Sequence, residues 1–324
     1  MIKVLYLPLN TPDFTQNGMI DAFNHFNVNL KIFDYNLMHI KGLNKNQISK
    51  NLLNIVEEFK PDLMHCQLQF SNIIENKTIL KIKEISKNTK ISNWTGDIRK
   101  EVPNEFIINS QAIDYNLISS SGQIDLYSKK CNKKIYYWQI GLDPKLYFPK
   151  HNKDFLCKSI FIGNNWKTSD FPGGPQRVKI LKSLKETFKE DFHIYGYGWE
   201  SEELTSKGVL KLSELNNYYN NSLSCISVSN FNNVSHYFSD RLLISMASGR
   251  PVVCLAFPGW EDYFIDNEDI LIAKNIEDVK EKVKWITNNE SKAEKIGMNG
   301  YLKIINEHSY TSRVLELFKI VGIL

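Results

Sequence analysis

The stretch Ser239-Asp240-Arg241-Leu242-Leu243-Ile244-Ser245-Met246-Ala247-Ser248-Gly249-Arg250-Pro251-Val252-Val253-Cys254 contains the junctions from which the fold is read. Gly249 closes a short helix, and Pro251 opens a buried strand at 252–256. Arg241 falls in the first helical turn, where the positive end of the helix dipole disfavours a cation. That placement makes sense where an anion sits, held by the orphan N–H groups of the turn and by the guanidinium. The alternative is an arginine that bends away to a surface carboxylate.

The same grammar extends outward in both directions. Upstream, strands are expected at 159–163, 192–195 and 225–229, and Val178, Leu181, Leu184 and Phe188 mark one helical face; downstream, 270–273 is a further strand. The first half repeats the alternation, with strands at 2–9, 30–33, 62–66 and 90–94, each read as apolar throughout. Helical spacing recurs in Leu52, Leu53, Val56 and Phe59 and again over 79–85. A loop with Asn10, Thr11, Pro12 and Gly18 follows the first strand, before an amphipathic segment through Ala22 and Phe26. Strands interleaved with helices in this way predict parallel sheets covered on both faces. The turn-rich segment 138–149 separates the halves. The fold class is therefore α/β, two consecutive doubly wound domains. Ligands of such sheets bind beyond the carboxyl ends of the strands, which places the expected site in the cleft between the domains.

Composition supports this division. A chain of 324 residues exceeds one ordinary core, and 42% hydrophobic with 23% charged residues suits a soluble globular protein. No run approaches roughly eighteen apolar residues, so no membrane-spanning helix is expected. The opening Met1-Ile2-Lys3-Val4-Leu5-Tyr6-Leu7-Pro8-Leu9 reads as a strand, without the apolar core and cleavage site of a signal peptide, and a cytosolic location is expected. The 5 cysteines have no CxxC spacing and read as reduced structural thiols. A net charge of +4 demands no polyanionic partner. One basic and aromatic cluster, Lys129, Lys130, Lys133, Lys134, Tyr136, Tyr137 and Trp138, suits contact with nucleic acid or a peripheral membrane surface, or a solvated helix end preceding a strand.

A second cation shares the placement of Arg241. Phe171-Pro172-Gly173-Gly174-Pro175-Gln176-Arg177 opens the helix bearing Val178, with Pro175 suited to the first turn and Arg177 near the N-terminus. Two such arginines, each after a strand of one sheet, suit a diphosphate. In His193-Ile194-Tyr195-Gly196-Tyr197-Gly198-Trp199 the glycines close a strand and allow a close backbone approach; His193 reads as a core histidine. Asp97, in Thr95-Gly96-Asp97-Ile98-Arg99, lies just past a strand, where a carboxylate serves as general base toward a hydroxyl or caps the next helix. There is no HExxH, Asp-x-Asp dyad or Cys/His cluster, so no tightly held metal is expected, and neither a G-x-S-x-G elbow nor a P-loop occurs.

Together these pieces resemble glycosyltransferases of the GT-B fold, two Rossmann-like domains facing across a cleft, and most closely the group-1 branch with CgeB-like proteins. The resemblance rests on Ile140-Gly141-Leu142-Asp143 with Phe148-Pro149, on Phe161-Ile162-Gly163-Asn164, on Ile194-Tyr195-Gly196 with Gly198-Trp199, and on Arg241 with Met246-Ala247-Ser248-Gly249 and Pro251-Val252. It implies an acceptor-side domain at 1–145, a nucleotide-sugar domain at 146–308, and a C-terminal helix at 309–324 packing back on the first. It implies transfer of a sugar from a nucleotide-diphosphate donor, a UDP-sugar by preference, to an acceptor hydroxyl, without a metal or other cofactor. Acceptors compatible with it are a glycan, a protein, a small molecule or a modified DNA base.

Carried over by position, Arg177, Ser239 and Arg241 would hold the diphosphate, beside Gly163 and Asn164. Gly196 would let the donor approach, Lys211 and Leu212 would face the base through backbone groups, and Gly18 would lie on the acceptor side. Thr95-Gly96-Asp97-Ile98-Arg99 is also similar to a segment of phage DNA β-glucosyltransferases whose aspartate is the general base. Group-1 enzymes carry two glutamates at the positions of His236 and Ile244, the second binding the donor ribose. Isoleucine accepts no hydrogen bond. Glu261, after Pro258-Gly259-Trp260, either compensates or is a solvent-exposed loop acid. Two other readings stay open on this fold: a catalytically inactive sugar-nucleotide or glycan-binding module, and a nucleotide-sugar epimerase.

Overall fold

The computed structural model describes residues 1–69, 72–150, 154–166 and 171–323. Its chain divides into two units, Met1–Gln139 with the segment from Tyr310 onward, and Ile140–Ser309.

The first unit runs β1 (Lys3–Leu7), α1 (Asn17–His25), β2 (Asn29–Ile32), α2 (Tyr35–Ile40), α3 (Lys45–Phe59), β3 (Leu63–Cys66), α4 (Asn76–Ile85), β4 (Lys90–Thr95), α5 (Asn104–Ser110), β5 (Tyr115–Ile118), α6 (Ile124–Cys131) and β6 (Ile135–Tyr137). Its strands form one sheet in the order β2-β1-β3-β4-β5-β6, and every pairing is parallel. Parallel neighbours need crossovers, and the intervening helices supply them. Leu5, Leu7, Met64, Cys66 and Ile91 pack with Ile48, Leu52 and Val56 of α3 and with Ile79 and Ile82 of α4 in one core.

The strands are not apolar throughout, as the sequence reading expected. His65, Ser92, Asn93 and Asn116 are all buried within them. Burial of such groups is tolerable where they find partners: His65 Nδ1 and Ser92 Oγ share a hydrogen bond of 2.8 Å, and Asn93 Oδ1 accepts the Leu68 N–H at 3.0 Å, whereas Asn116 donates to Ser110 O at 3.4 Å and keeps a buried Oδ1 without a partner among the described residues. Burial alone pulls the His65 pKa from 6.5 to about 3, so the ring is neutral.

The second unit runs β7 (Cys157–Ile162), α7 (Gly174–Phe188), β8 (Phe192–Tyr195), α8 (Leu212–Asn220), β9 (Ser222–Ser227), α9 (Asp240–Ala247), β10 (Val252–Leu255), β11 (Leu271–Ala273), α10 (Ile276–Asn288) and α11 (Glu290–Glu307). Its sheet, ordered β11-β10-β9-β7-β8, is again wholly parallel. The order reverses between β7 and β9, and the crevice at such a switch point is where doubly wound sheets take ligands.

The segment after Gln139 belongs to this second unit. Its backbone explains why. Leu142 N–H donates to His308 O at 2.9 Å, Phe148 N–H to Asn216 Oδ1 at 3.2 Å, and Asn220 Nδ2 donates to Phe148 O at 3.1 Å. The last helix, α12 (Tyr310–Val321), packs in the first unit. Val314, Leu317, Phe318 and Val321 are buried, with the Phe318 ring 6.0 Å from Phe23 and 5.5 Å from Phe26. Trp138 Nε1 donates to Arg313 O at 2.8 Å and fixes the helix start.

Candidate functional site

At the carboxyl end of the second sheet, β7 ends at Ile162 and its neighbour β9 at Ser227. Arg241, in the first turn of α9, reaches back across this edge. Its Nε donates to Ile162 O at 2.5 Å, and Nη1 to Ser239 Oγ at 3.4 Å and Val228 O at 3.5 Å. Gly163 makes room for it, since a Cβ there would lie 2.5 Å from Arg241 Nη2. Arg177, in α7, is 1% exposed and donates through Nη2 to Asn164 O at 2.8 Å. Its Nε is buried and has no partner among the described residues. The two guanidinium groups lie 5.7 and 5.2 Å from the centre of the same Phe161 ring, and Arg177 also lies 5.6 Å from the Trp199 ring.

Among the described residues neither guanidinium pairs with a carboxylate; every oxygen the two groups reach is a carbonyl or a hydroxyl. The surface-carboxylate alternative for Arg241 is therefore not realised. Burial, and then the charge of Arg241, pull the Arg177 pKa down to about 9. A buried cation beside a second, partly exposed one is costly, and an anion between them relieves both the desolvation and the repulsion. The turn N–H groups play a smaller part than the sequence suggested: Arg241 N–H is taken by Asp240 Oδ1 at 2.8 Å, and Leu242 N–H by Ser239 O at 3.1 Å. The guanidinium groups, more than the helix end, are what an anion would meet.

The neighbouring residues are placed as follows. Ser239 is the N-cap of α9 and makes no side-chain cap bond. Asn164 accepts the Tyr197 N–H on Oδ1 at 3.1 Å. Gly196 has φ +122°, and the space left by its missing Cβ is filled by Gly163 O at 2.3 Å, so it permits two strand ends to approach each other. Lys211 is the N-cap of α8; its N–H donates to Glu214 Oε2 at 2.7 Å and its carbonyl accepts Glu214 N–H at 2.9 Å. Leu212 is partly buried against the core of this unit, and Ile244 is buried in the same core. Glu261 is exposed in a short 3-10 turn, Trp260–Asp262.

A pairing invisible in the sequence joins two loops at this edge: His236 Nε2 lies 2.7 Å from Asp262 Oδ2. His193, in β8, is partly buried rather than a core residue, and its Nδ1 has no partner among the described residues.

Asp97 and Gly18 belong to the first unit. Asp97 follows β4, with its side chain 61% exposed and 3.9 Å from Arg99 Nη2. It does not cap the next helix, since α5 has Pro103 at that position. Gly18 lies inside the first turn of α1 rather than in the loop before it, and is buried there. The basic cluster resolves into the last turn of α6, with Lys129 and Lys130 where cations favour the helix dipole, followed by β6. All 5 cysteines are free and buried. Among the described residues no group of three His, Cys, Asp or Glu could hold a metal, and no helix is long and apolar enough to cross a membrane.

Residues 176–319, which include both arginines, match the family described as glycosyl transferase-like. Comparison with curated proteins by sequence finds no match. Solved structures align over almost the whole chain. HepE of Anabaena in complex with UDP-glucose has 9% identity, 100% coverage of both chains and a TM-score of 0.64. Sucrose-phosphate synthase of Thermosynechococcus elongatus has 10% identity, covers 99% of this chain and 98% of its own, and has a TM-score of 0.65. A glycosyltransferase of Rickettsia africae has 14% identity, coverage of 99% and 97%, and a TM-score of 0.63. At such identities the likeness establishes the fold: two Rossmann-like domains of the GT-B type.

Proposed function

We propose that the protein is a glycosyltransferase that moves a sugar from a UDP-sugar to an acceptor hydroxyl. The observation that carries this is the pair Arg177 and Arg241, two cations without a carboxylate at the switch point of the second sheet. Departure of UDP leaves negative charge on its diphosphate, and preorganised guanidinium groups stabilise that charge as it develops. The match of 176–319 to a glycosyl transferase-like family and the UDP-glucose bound by the structurally similar HepE support the donor class. Within that class, the motifs around Gly163, Gly196 and Arg241 favour the CgeB-like branch.

Asp97 is the general base of this proposal. It is exposed at the carboxyl end of β4, free of any helix-capping duty on α5, and able to take the acceptor proton as the oxygen attacks the sugar. Attack opposite the leaving diphosphate inverts the anomeric centre. A second reading is favoured by one observation: Ile244 is buried in the core, so that position offers a donor no hydrogen bond, and a nucleotide-sugar-binding protein without turnover has the same arginines. UDP release with and without hydroxyl acceptors separates the two. Calorimetry with UDP tests both, because Arg241→Ala should weaken UDP binding about ten- to a hundred-fold, the loss of a charge-assisted contact of about 1.5–3 kcal/mol. Unchanged affinity would refute the anion site.

A further inference from the structure

The loops after β9 and β10 are clasped at one point by a histidine held in a left-handed backbone. His236 has a left-handed backbone, φ 55°, and its N–H donates to Pro258 O at 2.9 Å. Gly259, itself at φ +82°, leaves the space that the His236 ring fills; a Cβ there would lie 2.3 Å from Nε2. Tyr263 meets the ring edge-on at 5.5 Å between centroids, and Nε2 lies 2.7 Å from Asp262 Oδ2. Left-handed backbone at a non-glycine residue costs about 1–3 kcal/mol, although histidine tolerates it better than most. A partly exposed histidine–aspartate contact returns only about 0–1 kcal/mol and by itself does not account for the arrangement.

Its location does. β9 and β10 are adjacent and parallel, so both loops lie at the carboxyl edge of the sheet that carries Arg177 and Arg241. His236 and Arg241 belong to one short segment, whose backbone spans at most about 18 Å. Between them, Tyr237 lies in the neighbourhood of Arg177. The Asp262 side chain is 70% exposed, and a carboxylate has about four lone-pair sites, of which the imidazole takes one. A fixed acceptor of this kind repels a phosphate and suits the hydroxyls of the sugar portions next to it.

We infer that Asp262, positioned by His236, accepts hydrogen bonds from the hydroxyl groups of the nucleotide sugar whose diphosphate lies at Arg177 and Arg241. The inference rests on the proposed donor class. It also replaces Glu261, the acid flagged from sequence, with its neighbour: the ring at position 236 selects Asp262, and no bond from Glu261 to that ring exists among the described residues.

Calorimetry on the full chain with UDP and with UDP-glucose tests it, using Asp262→Asn, His236→Asn and the control Glu261→Gln, each checked by thermal unfolding. Asp262→Asn should weaken binding about ten- to a hundred-fold, as for a hydrogen bond to a charged group, while Glu261→Gln binds as the wild type. Loss for both ligands assigns the ribose, and loss for UDP-glucose alone assigns the transferred sugar. His236→Asn keeps a residue at ease in the left-handed region and should show the same pattern more weakly. That variant carries the comparison if Asp262→Asn does not fold. Wild-type affinity for both ligands in the folded Asp262 and His236 variants would overturn the inference while leaving the donor site intact. A wild-type chain that binds neither ligand would overturn the donor class and the inference with it.

Discussion

Arg177 gives the sharpest test, because its structural and functional roles predict opposite signs. The perturbation is Arg177→Met, which keeps an unbranched apolar stem over Phe161 and Trp199 and removes the charge. Arg177 is 1% exposed and faces a second cation; among the described residues its Nε is unpartnered and its guanidinium bonds only the Asn164 carbonyl. Losing that bond costs about 1 kcal/mol. Removing a buried charge that has no counter-ion returns a comparable or larger amount, as replacement of buried charged groups by apolar ones is often neutral or stabilising by about 1–4 kcal/mol. Stability to urea should therefore hold or rise. UDP affinity should fall about ten- to a hundred-fold, since a charge-assisted bond worth about 1.5–3 kcal/mol disappears. Urea denaturation and calorimetry on the same preparations read the two quantities. A loss of about 2 kcal/mol or more in stability with UDP affinity unchanged would show that Arg177 is a packing element, and the anion argument would fail.

Three further outcomes are expected. Asp97→Asn should lower kcat by about 10²–10⁴ while UDP binding survives, measured by UDP release; near-normal turnover, or a product retaining the donor's anomeric configuration, removes Asp97 as base. For His65 the folded pKa near 3 lies below the unfolded value of 6.5, so the unfolded state takes up the proton first. The stabilisation is full above about pH 6.5 and declines toward about pH 3 by up to about 1.4 kcal/mol per pH unit. Urea midpoints should show the wild type losing about 1 kcal/mol more than His65→Gln between pH 7 and 5.5; equal losses contradict this. Finally, a chain ending at Ser309 strips the first unit of Val314, Leu317, Phe318 and Val321, all buried. At about 1.5–3 kcal/mol each, an upper bound, this rivals the whole stability of a domain, so it should not unfold cooperatively; a normal melting transition would refute the estimate.

Local chemistry made much of this protein legible in its sequence. Apolar runs alternating with helical periodicity determine parallel doubly wound sheets, because a strand covered on both faces and a helix covered on one leave different spacings. Gly249 and Pro251 marked the helix–strand junction after α9, and Arg241 stood out since a cation in a first turn opposes the dipole. β5 escaped, being four residues with Asn116 in the interior, and its burial depends on neighbours supplied by β4 and β6. Gly18 looked like a loop residue, yet tertiary packing extends α1 back over it. Tertiary structure alone decided which side chains meet. Arg177 and Arg241 share the Phe161 ring because β7 and β9 are neighbours, and His236 finds Asp262, 26 residues on, because β9 and β10 are. Periodicity and capping are written within a few residues of chain. The partner of a loop side chain is set by strand order, which brings distant loops to one edge of the sheet.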